Sequence, residues 1–80
     1  MAGDDLDIPL DQLEAELGRR ARRRHAELAV NVYADGRFRA AFKQFGDPTA
    51  PAGVVVLEAA ASTRRTALER LLAADAEPPL

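Results

Sequence analysis

Nineteen residues in the middle of the chain, Glu27 to Phe45 (ELAVNVYADGRFRAAFKQF), leave little freedom in how it folds. Two runs alternate apolar and polar side chains with period two, and Ala34-Asp35-Gly36 interrupts them with a turn signal. A β-hairpin follows, and its side chains choose the loop. A two-residue loop at Asp35-Gly36 would pair Val32 with Arg39 and Tyr33 with Phe38, mixing apolar and charged groups on both faces. A three-residue loop with Gly36 left-handed pairs Tyr33 with Arg37, Val32 with Phe38, Val30 with Ala40 and Leu28 with Phe42. One face then carries Leu28, Val30, Val32, Phe38, Ala40 and Phe42. The other carries Glu27, Ala29, Asn31, Tyr33, Arg37, Arg39, Ala41 and Lys43, with Glu27 opposite Lys43. The three-residue loop is the expected one, and Val32→Asp is then expected to unfold the domain while Asn31→Asp costs little.

A helix precedes the hairpin. Pro9 suits a first helical turn, and Leu10, Leu13, Leu17 and Ala21 recur at spacings of three and four, predicting a helix over about residues 9–25. Asp11, Glu14 and Glu16 lie toward its start and the arginines at its end, the order the helix dipole favours, and Glu16 can pair with Arg20. After the hairpin, Gly46 to Gly53 (GDPTAPAG) reads as a loop and Val54-Val55-Val56-Leu57 as a third strand. With Glu58 outward, Val55 and Leu57 fall in the core, and Val54 and Val56 on the open face. Ser62 or Thr63 caps a second helix running to about Ala74, with Leu68, Leu71 and Leu72 as its stripe.

The expected fold class is therefore α+β, in the order α-β-β-β-α, with a three-stranded antiparallel sheet and both helices packed on one face. Residues 1–8 read as a flexible acidic leader, 9–75 as one domain and 76–80 as a tail. Eighty residues suffice for one domain. The chain has no cysteine, which excludes disulfides and thiolate metal sites. It begins without a signal-peptide pattern and contains no apolar run of the roughly 18 residues a membrane span needs, so no membrane association and a cytoplasmic location are expected.

Catalysis finds no support in the pattern. The chain has one His, one Ser and one Tyr, and only His25 and Ser62 suggest a nucleophile–base pair, with nothing to place them together. The acids of residues 4–16 lack a companion His, no calcium loop is present, and Gly36, Gly46 and Gly53 read as turn glycines rather than a phosphate loop. The reading is a non-enzyme, with no catalytic residue, no metal and no cofactor. His25 reads as a solvated residue at a helix end.

Charge is unevenly placed although the net value is only −2. Residues 19–25 (RRARRRH) hold five arginines and no acid, whereas residues 1–18 hold six acids and no base. Arg19, Arg22 and Arg23 face outward on the helix, Arg20 flanks the apolar stripe, and Arg24 lies on it. Cations at a helix C-terminus sit where electrostatics favours them, so this run is read first as a solvated, self-paired helix end and second as a phosphate or acidic-protein contact. Arg64 and Arg65 occupy the first turn of the second helix, where the dipole disfavours cations. With a Ser/Thr cap they form a candidate anion or nucleic-acid contact. The competing reading pairs Arg64 or Arg65 with Glu69 or Glu58.

The α-β-β-β-α order and the run Thr63-Arg64-Arg65-Thr66-Ala67 resemble double-stranded-RNA-binding domains, whose second helix opens Ser-Lys-Lys-x-Ala. Where that family has glycines before the helix this chain has Ala59 and Ala61, and its first loop is only Ala34-Asp35-Gly36. Residues 28–72 also resemble HicB-type antitoxins in their strand–DG–strand–strand–helix plan. Small phage-encoded inhibitors, anti-CRISPR proteins among them, are often of similar size and build. The first resemblance implies nucleic-acid binding; the others imply regulation of a protein.

The function expected is that of a small non-enzymatic binding protein that occupies a surface of a macromolecular partner, foremost a protein. A phage or mobile-element inhibitor such as an anti-CRISPR is one version, and an antitoxin-like regulator another. The alternative is a nucleic-acid-binding module using Arg64, Arg65, Arg19, Arg22 and Arg23. The partner-binding residues expected are Tyr33, Asn31, Arg37, Arg39 and Lys43 on the open sheet face, an aromatic centre with a basic rim. A second copy of the chain is also considered as the occupant of that face.

Overall fold

A computed structural model of the chain describes residues 8–76. Helix α1 (Leu10–Arg23) leads to strands β1 (Glu27–Val32), β2 (Phe38–Gln44) and β3 (Val54–Ala61), and helix α2 (Arg64–Ala76) follows. The sheet is antiparallel with β2 in the middle, so the expected α+β class and element order hold. The leader reading (residues 1–7) and the tail from 77 onward lie outside the described residues. Ala76, expected in the tail, closes α2 instead.

Each strand pair of the hairpin is the one the alternation predicts, from Glu27 opposite Lys43 to Val32 opposite Phe38. Tyr33 N–H donates to the Arg37 carbonyl at 2.7 Å, and Gly36 N–H donates to the Tyr33 carbonyl at 2.9 Å. Gly36 adopts φ of 87°, the left-handed conformation the three-residue loop requires.

The end of α1 has a device that periodicity does not announce. His25 N–H donates to the Arg22 carbonyl and Ala26 N–H to the Ala21 carbonyl, at 3.0 and 2.8 Å, and His25 has φ of 56°. This is a Schellman cap with histidine in the position glycine usually fills, and both Ala21 and Ala26 are buried beneath it. At the start of α2, Thr63 rather than Ser62 is the cap. Its Oγ1 accepts from Thr66 N–H at 3.2 Å, and its carbonyl accepts from Ala67 N–H.

Helix α2 packs across β3 and β2, and α1 packs against α2 and β1, all on one sheet face. Phe42, Leu17, Leu68 and Leu71 are fully buried at the centre, each contributing about 1.5–3 kcal/mol. Coverage fades over β1. Leu28 and Val30 are half-buried, and Val32 is 61% exposed although it pairs with Phe38 as expected. The expectation that Val32→Asp buries a charge is thus corrected: register places the side chain on the helix side, but no helix reaches over it.

The phase of β3 is corrected as well. Phe42 pairs with Leu57 and Lys43 with Val55, so Val56 is an extra residue, a β-bulge. Leu57 faces the core as expected, but the slip turns Val55 to the open face beside Lys43 and sets Val54 opposite Gln44 on the helix side.

Candidate functional site

Alternation along the hairpin turns Asn31, Tyr33, Arg37, Arg39 and Lys43 to the sheet face that neither helix covers. Tyr33 stands at the loop end of that face and is 42% exposed. Val55 joins it at the other end, 38% exposed, because of the bulge. The centre differs from expectation. Ala41 is only 1% exposed although it lies outside the core cluster. It sits mid-sheet between Ala29 and Glu58, with the long stems of Arg39 and Lys43 two residues either side, and these shade a side chain of one carbon.

The rim is partly self-neutralised. Arg39 Nε donates to Glu58 Oε1 at 2.6 Å, a pair from β2 to β3 across the open face. Its charge is therefore paired within the sheet. Arg37 and Lys43 have no acidic partner within ion-pair distance among the described residues. The available basic charge on this face is theirs, at its two ends.

The arginines of α1 divide as the helical wheel predicts, but for a reason it cannot supply. Asp75, near the end of α2, accepts from Arg20 Nη1 at 2.9 Å and from Arg24 Nε at 2.7 Å. Arg20 also reaches Glu16 at 2.8 Å, as does Arg19 at 2.7 Å. The Arg24 guanidinium lies 5.9 Å from the Phe42 ring centroid, a cation–π contact at the edge of the core. Burial pushes the Asp75 carboxyl up, but hydrogen bonds and charge from Arg20 and Arg24 outweigh it, and the group ends below its ordinary value. Glu16 is likewise lowered, by hydrogen bonds from Arg19 and then Arg20. Of the five arginines, Arg22 and Arg23 have no acidic partner among the described residues, and both are exposed.

Arg64 and Arg65 are both beside acids. Arg64 Nη2 lies 2.6 Å from Glu14 Oε2 on α1, and Arg65 Nη1 lies 3.6 Å from Glu69 Oε2 one turn on. Glu69 was an expected partner; Glu14 was not. Glu14 to Arg64 ties the first halves of the two helices, and Arg20 to Asp75 ties their far ends, so the helices run in the same sense. The unfavourable placement of two cations in the first turn of α2 is thereby offset in part, although neither pair is hydrogen-bonded and Arg65 Nη1 is buried without a hydrogen-bond partner.

Two features lay beyond sequence reasoning. Arg70 of α2 reaches round to the sheet, its Nη1 donating to the Ala60 carbonyl of β3 at 2.8 Å. Ile8, Leu13, Leu72 and Ala73 also line an open apolar recess of about 340 Å³ beside the Arg65–Glu69 pair. Among the described residues no three His, Asp or Glu side chains gather as a metal site would need, and no helix is long and apolar enough to cross a membrane.

Fold and face together define a small α+β domain with an open antiparallel sheet face, aromatic and branched-apolar at its ends and basic at its rim. No family model matches the chain, and neither does any curated protein or solved structure.

Proposed function

We propose that this protein is a small non-enzymatic binding protein that works by covering a surface of another protein with its open sheet face. The observation that supports this reading is the face itself: no helix covers it, Tyr33 and Val55 stand exposed at its ends, and Arg37 and Lys43 keep their charge unspent. Tyr and Arg anchors dominate the energy of many protein interfaces. An inhibitor carried by a phage or mobile element, anti-CRISPR proteins included, and an antitoxin-like regulator are the two versions kept, both acting in the cytoplasm. Each would act by occlusion, since Tyr33, Asn31, Arg37, Arg39 and Lys43 can block and hold but offer no reactive group.

Nucleic-acid binding stays second. Arg19, Arg20, Arg24, Arg39, Arg64 and Arg65 all stand next to carboxylates, and net charge is −2. The bases left over, Arg22 and Arg23 on α1, Arg37 and Lys43 on the sheet and Arg70 on α2, lie on separate elements.

The experiment is affinity capture from the native host with the parent chain and with a Tyr33→Ala/Arg37→Glu variant, followed by measured affinity for the captured protein. The variant is expected to keep its circular dichroism spectrum and lose about 2 kcal/mol or more of binding. Equal binding by both chains would sink the reading. Salt titration against duplex and single-stranded nucleic acid decides the alternative: a steep fall in affinity with salt, flattened by Arg22→Gln/Arg23→Gln, would favour it.

A further inference from the structure

The two edges of the sheet are not equivalent. At β3 the edge is guarded twice: the bulge at Val56 breaks its regularity, and Arg70 occupies the outward carbonyl of Ala60. Bulges and covering cations are devices by which proteins keep a free edge from pairing. At β1 neither device is present. Its six residues pair with β2 without a register shift, and they contain no proline and no lysine.

The direction of the free groups at β1 follows from the loop. Tyr33 N–H bonds to the Arg37 carbonyl, so that pair, and by alternation Asn31–Arg39, Ala29–Ala41 and Glu27–Lys43, exchange the bonds between β1 and β2. Leu28, Val30 and Val32 therefore turn N–H and C=O to the open side. No described side chain bonds to them, and no described backbone group beyond the sheet does.

We propose that β1 is a homodimerisation edge, on which β1 of a second copy pairs antiparallel about a two-fold axis at Val30, joining two three-stranded sheets into one. The occupant is argued from the self-complementarity of the strand. Of the registers open to two antiparallel copies, the one centred on Val30 alone uses all three outward residues: Val30 meets Val30, and Leu28 meets Val32 twice over. On the helix side, this brings Val32, the most exposed large apolar residue among the described residues at 61%, against Leu28 of the other copy. Leu28 lies beside a recess formed with Gly18, Arg22 and Ala26, between α1 and the start of β1. The knob and the recess belong to the same strand, four residues apart, and the two-fold brings each to the other. On the opposite face Ala29 meets Asn31, and Glu27 meets Tyr33, so no like charges are opposed. This inference does not depend on what the open face binds.

Sedimentation velocity of the full chain over a concentration series tests it, together with single cysteines in a chain that otherwise has none. The parent should pass from monomer to dimer as concentration rises. Val32→Lys, at an exposed position, should keep the fold and weaken the dimer by at least about tenfold, since two charges then face Leu28. Val30→Cys should oxidise to a covalent dimer, the two Cα atoms lying within disulfide reach across the axis. Ala29→Cys should not, because Ala29 faces Asn31 and the two cysteines stand beyond the roughly 7 Å limit. A parent that stays monomeric throughout overturns the proposal, as does a dimer indifferent to Val32→Lys, or one in which Ala29→Cys cross-links as readily as Val30→Cys.

Discussion

Asp75→Asn removes one negative charge and almost no volume, and it asks whether the arginine run is a structural clasp. The Asp75 side chain is 11% exposed, and it accepts from Arg20 and Arg24, whose side chains are 27% and 39% exposed. A hydrogen bond to a charged group contributes about 1.5–3 kcal/mol when screened from water. Asparagine keeps one neutral acceptor, and both arginines are partly wet, which discounts the loss. The expected cost is about 1.5 kcal/mol, and for a domain of this size about 6–12 °C in Tm.

The pH dependence gives this prediction its edge. The Asp75 carboxyl titrates below its ordinary value in the folded protein, so its contribution is fully present above the unfolded value of about 3.9 and is lost as pH falls through the folded one. Urea unfolding followed by circular dichroism should therefore show the full gap between parent and variant at pH 7 and at pH 5. The gap should narrow below about pH 4 and close further down, where the parent carries a neutral acid in the place of the amide. A variant as stable as the parent at pH 7 would refute the clasp. A gap undiminished at pH 2 would show that the loss comes from shape rather than charge.

His25→Gly should stabilise the chain by about 0.5–1 kcal/mol, because His25 holds φ of 56° in the Schellman cap and glycine meets no Cβ penalty there; thermal melts of His25→Gly and His25→Ala separate the backbone effect from the loss of imidazole. Val32→Asp should cost under about 1 kcal/mol at a side chain 61% exposed, whereas Phe42→Ala, at 0%, should cost about 3–5 kcal/mol, and denaturant midpoints will rank them. Gly53→Ala should destabilise more than Gly36→Ala: both sit at positive φ, but only a Cβ at Gly53 would meet a neighbour, the Phe45 ring at 2.8 Å.

Much of this fold was legible in the sequence because one rule governed each part that was read correctly. Strand alternation and a glycine-bearing turn settled the hairpin to the residue, since the rival two-residue loop would pair Val32 with Arg39 and Tyr33 with Phe38, mixing apolar and charged groups on both faces. Leu13, Leu17 and Ala21 announced the buried stripe of α1 by spacing alone. The bulge at Val56 was not legible. Four apolar residues in a row, Val54 to Leu57, give alternation nothing to grip, and a slip of one residue leaves the pattern unchanged while reversing the faces of Val54 and Val55. The partners of the arginines were half legible. Those one helical turn apart, Glu16 with Arg20 and Arg65 with Glu69, follow from local geometry, whereas Asp75 and Glu14 meet their arginines only because two helices lie side by side.

Val32 marks where local pattern and tertiary coverage part company, and the consequence reaches function. Alternation says which way a side chain points; whether anything lies over it depends on where the helices stop. Here α2 is drawn over β2 and β3, and the ion pairs from Glu14 to Arg64 and from Arg20 to Asp75 hold α1 against α2. Charge pairing at both ends of the helices thus holds α1 against α2 and β1, and the Val32 end of β1 is left short of cover. A strand with a free edge, a half-covered apolar face and no guarding residue is unstable against association. The same clasp that pairs Arg20 and Arg24 with Asp75, and so argues against nucleic acid, holds α1 where Val32 stays uncovered. If β1 pairs with a second copy as proposed, Asp75→Asn should weaken that pairing as well as the fold, because an α1 released from Asp75 can move toward the uncovered Val32. Sedimentation velocity at pH 7, under conditions where the variant is fully folded, reads that coupling. A variant that associates as tightly as the parent would separate the clasp from the edge and leave the exposure of β1 to strand geometry alone.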